Sequence, residues 1–141
     1  MHGSYFMKKE FLAKHGMGHA VQGAALVAND GFSARYDLDR IRGVFSRPTH
    51  KLAGESYAGR VLVLDTAKGG VASAWMLYEM ASRGVVPLAL VFNSVNPIMA
   101  QGAALAGLPM LAGFDCDITA QLGSGEPVEI DPANRLLKVL R

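Results

Sequence analysis

Residues 59–65 read Gly-Arg-Val-Leu-Val-Leu-Asp, four valines and leucines in a row between polar ends. An unbroken apolar run of this length is what a strand covered on both faces requires, so it predicts a parallel or mixed sheet. The period then changes: Val71, Trp75, Leu77, Tyr78 and Ala81 recur at helical spacing, and Gly84 stands where a C-cap is needed. That spacing puts Trp75 and Tyr78 in the core. Residues 88–92, Leu-Ala-Leu-Val-Phe, form a second apolar run, which completes a β-α-β unit with a right-handed crossover. Asn96 as cap and Pro97 at the first helical position predict a small-residue helix from 98 to about 106, and residues 107–111 return as a strand.

The flanks follow the same logic. Residues 20–27, Ala-Val-Gln-Gly-Ala-Ala-Leu-Val, predict a strand whose small side chains suit close neighbours, ended by the turn signal Asn29-Asp30-Gly31. Residues 32–51 carry Arg35, Arg40, Arg42 and Arg47 among Phe32, Tyr36, Ile41 and Phe45, and read as a long ordered loop. Residues 128–139 form a closing hairpin around Asp131-Pro132-Ala133-Asn134. The sum is one α/β domain: a mixed sheet with a β-α-β-α-β core and flanking β-hairpins. Residues 1–17 are expected to be an N-terminal tail, with the domain at 18–141.

Composition narrows the classes. A chain of 141 residues, 50% hydrophobic and 18% charged, can bury a core and is not a disordered segment. Its net charge of +2 is scattered, which gives no footprint for nucleic acid. No stretch reaches the roughly 18–20 apolar residues of a membrane span, and residues 1–10 lack the apolar centre of a signal peptide. Cys116 is the only cysteine, so no internal disulfide forms. A cytoplasmic protein is expected.

Candidate chemistry concentrates in Asp65-Thr66-Ala67-Lys68-Gly69-Gly70-Val71-Ala72-Ser73. A glycine turn leading into a helix exposes backbone N–H groups to anions, and Lys68 adds a full charge for a carboxylate or phosphate. The alternative is a tight βα turn with a solvated lysine. Neither of the nucleotide-binding glycine patterns is present. His15 and His19 are four apart but flanked by Gly16 and Gly18, so no helical metal pair is expected. His50 lies in a loop that could fold over the glycine turn, although a lone loop histidine is more often solvated. Cys116 lies between Asp115 and Asp117, which oppose a thiolate, and is not expected to be a nucleophile.

Residues 59–64, the Lys68-Gly69 loop, Gly84-Val85-Val86-Pro87 and residues 96–103 together resemble the aconitase X swivel domain. The likeness runs from about Gly18 to the C-terminus. It implies a swivelling β/β/α fold that packs against an aconitase-X-type large subunit, and it implies that this large subunit carries an iron–sulfur cluster. One cysteine cannot hold such a cluster, so no cofactor is expected in this chain. Family loops commonly read glycine-lysine-glycine-serine, the serine being regarded as the base that removes the substrate proton. Here that position is Gly70, which has no side chain to accept a proton, and Ala67 replaces the first glycine. Ser73 is the nearest substitute.

The resemblance implies a hydro-lyase small subunit that removes water from a small hydroxy acid and is inactive alone. Thr66, Lys68, Gly69 and Gly70 would bind the substrate. A cis-3-hydroxyproline-like acid is expected rather than phosphomevalonate, because residues 32–50 and Gly70 depart from the archaeal form. A non-catalytic binding or structural module paired with a larger partner is the alternative.

Overall fold

The computed structural model describes residues 9–68 and 70–140. In chain order the elements are β1 (Glu10–Met17), β2 (Val21–Val27), β3 (Gly31–Phe32), β4 (Leu38–Asp39), β5 (Val44–Phe45), β6 (Val61–Ala67), α1 (Val71–Ser82), β7 (Ala89–Ser94), α2 (Pro97–Leu105), β8 (Met110–Phe114), β9 (Pro127–Asp131) and β10 (Leu136–Val139). Strands β6, β7 and β8 are parallel neighbours joined through α1 and α2, with Leu62 opposite Leu90 and Phe92 opposite Ala112. The expected β-α-β-α-β core is therefore present.

The unbroken apolar run of β6 is explained by two cores, one on each face. Leu62 and Leu64, with Leu90 and Phe92 of β7, pack against Leu77, Met80, Met99 and Ala103 of the helices. Val61 and Val63, with Val91 and Leu111, face Val128, Ile130 and Leu137. The second core is enclosed because strand pairing closes on itself: β1-β10-β9-β2-β6-β7-β8 and back to β1. Two corner strands make this closure. β2 pairs with β9 through residues 21–24 and with β6 through residues 25–27, and β1 pairs with β10 first and β8 afterwards. The small residues of β2 serve that corner, since a Cβ on Gly23 would lie 2.6 Å from Leu88.

Three expectations need correction. Residues 10–17 are not tail but β1, set between β10 and β8; residues 1–8 lie outside the described residues. The segment hides in the sequence because Ala13 is the one buried residue of its eight. Of the two flanking hairpins, β9–β10 is present, whereas β1 and β2 do not pair with each other and instead hold that hairpin between them. Trp75 and Tyr78 are 62% and 49% exposed, not core. α1 buries Ser73, Leu77 and Met80, spaced i, i+4, i+7, and the two aromatics lie on the adjacent outward stripe.

Candidate functional site

β6 ends at Ala67 beside β3, and the chain leaves the sheet there into α1. The N–H of Lys68 donates to the Phe32 carbonyl at 2.7 Å, so the turn is pinned to β3. The Lys68 stem then runs over Gly31, where an added Cβ would come within 3.3 Å of Cε. One strand over, Ser94 donates its hydroxyl to that of Thr66 at 3.2 Å. Gly70 caps α1 with no side-chain hydrogen bond, leaving the first-turn amides without a side-chain partner. Gly69 lies outside the described residues.

Residues 33–57 fold back against this turn and form a cleft of about 600 Å³ with it. Arg35, Tyr36 and Arg47 line one wall; Lys68, Gly70 and Ser73 line the other. Ser73 is only 3% exposed, on the first turn of α1. Three cations face two carboxylates, Asp30 and Asp37. Burial pushes the Asp30 carboxyl up, but amides of Lys51 and Gly31, then the neighbouring His50 and Arg47, outweigh it and hold the group below its ordinary range. A cleft with surplus positive charge beside a helix start that has no side-chain cap is suited to an anion.

His50 does lie under this loop, but as a buried strut. Its Nε2 donates to the Gly31 carbonyl at 2.8 Å and its Nδ1 accepts from the Leu52 N–H at 3.0 Å. The ring stacks on Phe45 with centroids 4.6 Å apart. His15 and His19 are exposed, and Cys116 is half-buried. Of the residues expected to bind substrate or supply a base, Lys68, Gly70 and Ser73 line the cleft, whereas Thr66 does not line it and bonds Ser94 instead; Arg35, Tyr36 and Arg47 line it without having been expected there. The alternation of arginines and aromatics in residues 32–47 was the available signal; the pairing of β3 with β6, which brings them to Lys68, was not legible.

A polar knot closes the same end of the ring. The Asn93 amide donates to Asp65 at 3.0 Å and to Asp117 at 2.8 Å, and its oxygen accepts from the Ile118 N–H. Hydrogen bonds from Thr119 and from Asn93 hold the Asp117 carboxyl below its ordinary range.

The family model of the aconitase X swivel domain matches residues 10–139. The chain belongs to that family. The phosphomevalonate dehydratase small subunit of Methanopyrus kandleri is 31% identical, over 82% of this chain and 86% of its own length. The corresponding subunit of Thermococcus sibiricus is 32% identical over 81% of this chain and 85% of its own. The crystal structure of Thermococcus kodakaraensis aconitase X in its holo-form superposes with a TM-score of 0.87 at 22% identity, covering 94% of this chain and 99% of that one, which shows the shared swivel fold. A cis-3-hydroxyproline-like substrate finds no support among these relatives, which are small subunits of phosphomevalonate dehydratases. Residues 32–50, whose divergence suggested that substrate, form the cationic wall of the cleft. No described helix is long and apolar enough to cross a membrane.

Proposed function

We propose that this chain is the small subunit of an aconitase-X-type hydro-lyase that removes water from a phosphorylated hydroxy acid of the phosphomevalonate kind. The observation that carries the reading is the cleft: Lys68 and uncapped α1 amides on one wall, Arg35 and Arg47 on the other. A ligand with a carboxylate at one end and a phosphoryl group at the other has an anion for each wall. The family relatives named above support the same reaction class.

In this reading the chain binds and orients. Lys68 and the helix start hold the anion nearest β6, and the arginine wall holds the other. Elimination also needs a base for the departing proton, and Gly70 provides none. Ser73, three residues on from Gly70 and on the cleft wall, is the hydroxyl we offer for that role. The missing side chain at Gly70 also favours a second reading, a binding module paired with a partner but without chemistry.

An iron–sulfur cluster does not fit this chain. It has one cysteine, and among the described residues no group of three His, Cys, Asp or Glu side chains is placed to hold a metal. We assign the cluster to a large subunit. The docking face for that partner is the outer surface of α1 and α2, where Val71, Trp75, Tyr78, Ile98 and Leu105 are exposed around a shallow groove. Residues 84–114 contain no charged side chain, which is unusual for the solvent face of a helix layer. The first turn of α1 contributes to both: Val71 and Ala74 line the groove, Ala72 and Ser73 the cleft. A partner seated there would reach the substrate.

The test is co-expression with a cysteine-bearing large subunit, followed by dehydration assays on phosphorylated and unphosphorylated hydroxy acids. Preferential turnover of the phosphorylated acid is expected. Turnover of cis-3-hydroxyproline alone, or a complex without dehydratase activity, would overturn the reading.

A further inference from the structure

We propose that Arg47 determines specificity for a phosphoryl group in the cleft, and that Asp37, buried behind it, is a positioning residue that aims the guanidinium. The inference rests on the phosphorylated-acid reading above and assigns the recognising group within it.

Arg47 is held at several points. Its Nε donates to Asp37 Oδ1 at 2.6 Å, and one terminal nitrogen donates to the Thr49 hydroxyl at 2.6 Å. The backbone N–H of Arg47, like that of Ser46, donates to the Asp37 carbonyl. Asp37 is itself fixed: it is 4% exposed, and its Oδ2 accepts from the Ser33 N–H at 2.9 Å. A guanidinium has five N–H donors in a planar fork, and these bonds use the Nε side and one terminal nitrogen. The second terminal nitrogen is ion-paired with Asp30 at 3.7 Å, too long for a hydrogen bond, so its N–H groups are not used by Asp30, and the Arg47 side chain is 35% exposed on the cleft wall. Donors therefore remain in a fixed direction, with their rotamer freedom already removed.

Why this side chain should select, rather than merely attract, follows from the charges around it. Asp30 and Asp37 offset most of the field of Arg35, Arg47 and Lys68. A ligand that only sits in the cleft feels a small net attraction. One that offers several oxygens to the fork makes charge-assisted bonds directly, and a phosphoryl group does this better than a hydroxyl or an amide. His50, locked between Gly31 and Leu52, stiffens the loop that carries the arrangement.

The experiment uses the complex with its large subunit. Arg47→Ala is expected to raise KM for the phosphorylated acid about tenfold or more with kcat within about twofold, since the contact serves binding and not the bond-breaking step. Arg47→Lys, which keeps the charge and loses the fork, should recover only part of the affinity. Arg47→Gln, still able to donate to Asp37, keeps the test open should Arg47→Ala fail to fold. Asp37→Asn should also raise KM. An unaltered KM in folded Arg47→Ala or Arg47→Gln overturns the assignment. Should the wild-type complex dehydrate no phosphorylated acid, the reading of the substrate fails, and inorganic phosphate decides the assignment separately. Amide shifts across residues 31–37 of the labelled full chain should then titrate with phosphate in wild type and weaken in Arg47→Gln; equal affinity in both would refute it.

Discussion

Lys68 can act as an anion ligand or as a solvated turn residue, and magnitudes separate the two. A charge-assisted contact in a cleft closed by a partner is worth about 1.5–3 kcal/mol, whereas a solvated lysine changes stability by no more than about 0.5 kcal/mol. Lys68→Ala should therefore leave the melting temperature of the chain unchanged and cut kcat/KM of the complex by at least about tenfold; equal steady-state rates would remove Lys68 from the site. Gly70→Ser is the companion test, because a Cβ there meets nothing within 4 Å. If serine is the base this branch has lost, turnover rises. Titration gives a further residue-scale expectation. Asp30 and Asp117 both lie below their ordinary value of 3.8 in the folded chain, so their stabilising effect is complete above the unfolded value and disappears as pH falls through the folded one. The thermal midpoint should drop below about pH 4, and Asp30→Asn should flatten that acid limb. At this scale the sequence showed the lysine and glycines by their adjacency to a strand end. It hid the arginines, because nothing local indicates that residues 35 and 47 return to residue 68.

Among the elements, α1 shows where periodicity misleads. Its apolar residues occupy two stripes, and the larger side chains, Trp75 and Tyr78, take the outward one, edge to face with centroids 6.0 Å apart. Beside that stripe the helix is small because α2 crosses closely there: an added Cβ on Gly102 would lie 2.6 Å from Ala74 Cβ. Burial in the isolated chain thus follows packing distance, and on the proposed docking face the outward aromatics would be covered by the partner. Trp75→Glu and Tyr78→Glu should then change the stability of the isolated chain by about 0.5 kcal/mol or less, and should abolish co-purification with the large subunit. Leu77→Ala, buried one residue away, should do the reverse kind of damage, costing about 2–5 kcal/mol in a thermal or urea melt. Retained complex in both glutamate variants would place the partner elsewhere. The strands were easier to read. β6 and β7 are covered on both faces, so their composition alone marks them, and Asn96-Pro97 announces α2 by a cap that forms, Asn96 Oδ1 accepting from the Met99 N–H at 2.9 Å.

Over the whole molecule, the ring of strands depends on the segment that sequence reasoning set aside. β1 has one buried residue and no apolar run, yet among the described residues it is the strand that links the hairpin β9–β10 to the parallel strands on that side. Its value lies in pairing, which hydrophobic pattern does not record: residues 10–12 pair with β10, residues 13–17 with β8. Removing it would free the edges of both neighbours and open the core around Leu111 and Leu137, which are otherwise fully buried. A domain has only about 5–15 kcal/mol of net stability to lose, and this loss combines unpaired backbone with exposed apolar surface. A chain beginning at Gly18, the boundary that a tail at 1–17 would suggest, should therefore show no cooperative melt and should aggregate through its exposed strand edges. A chain beginning at Lys9 keeps every pairing of β1 and should melt as the full chain does. Equal melting curves for the two truncations would mean that the ring is held without β1, and that the corner strand β2 alone joins the two halves.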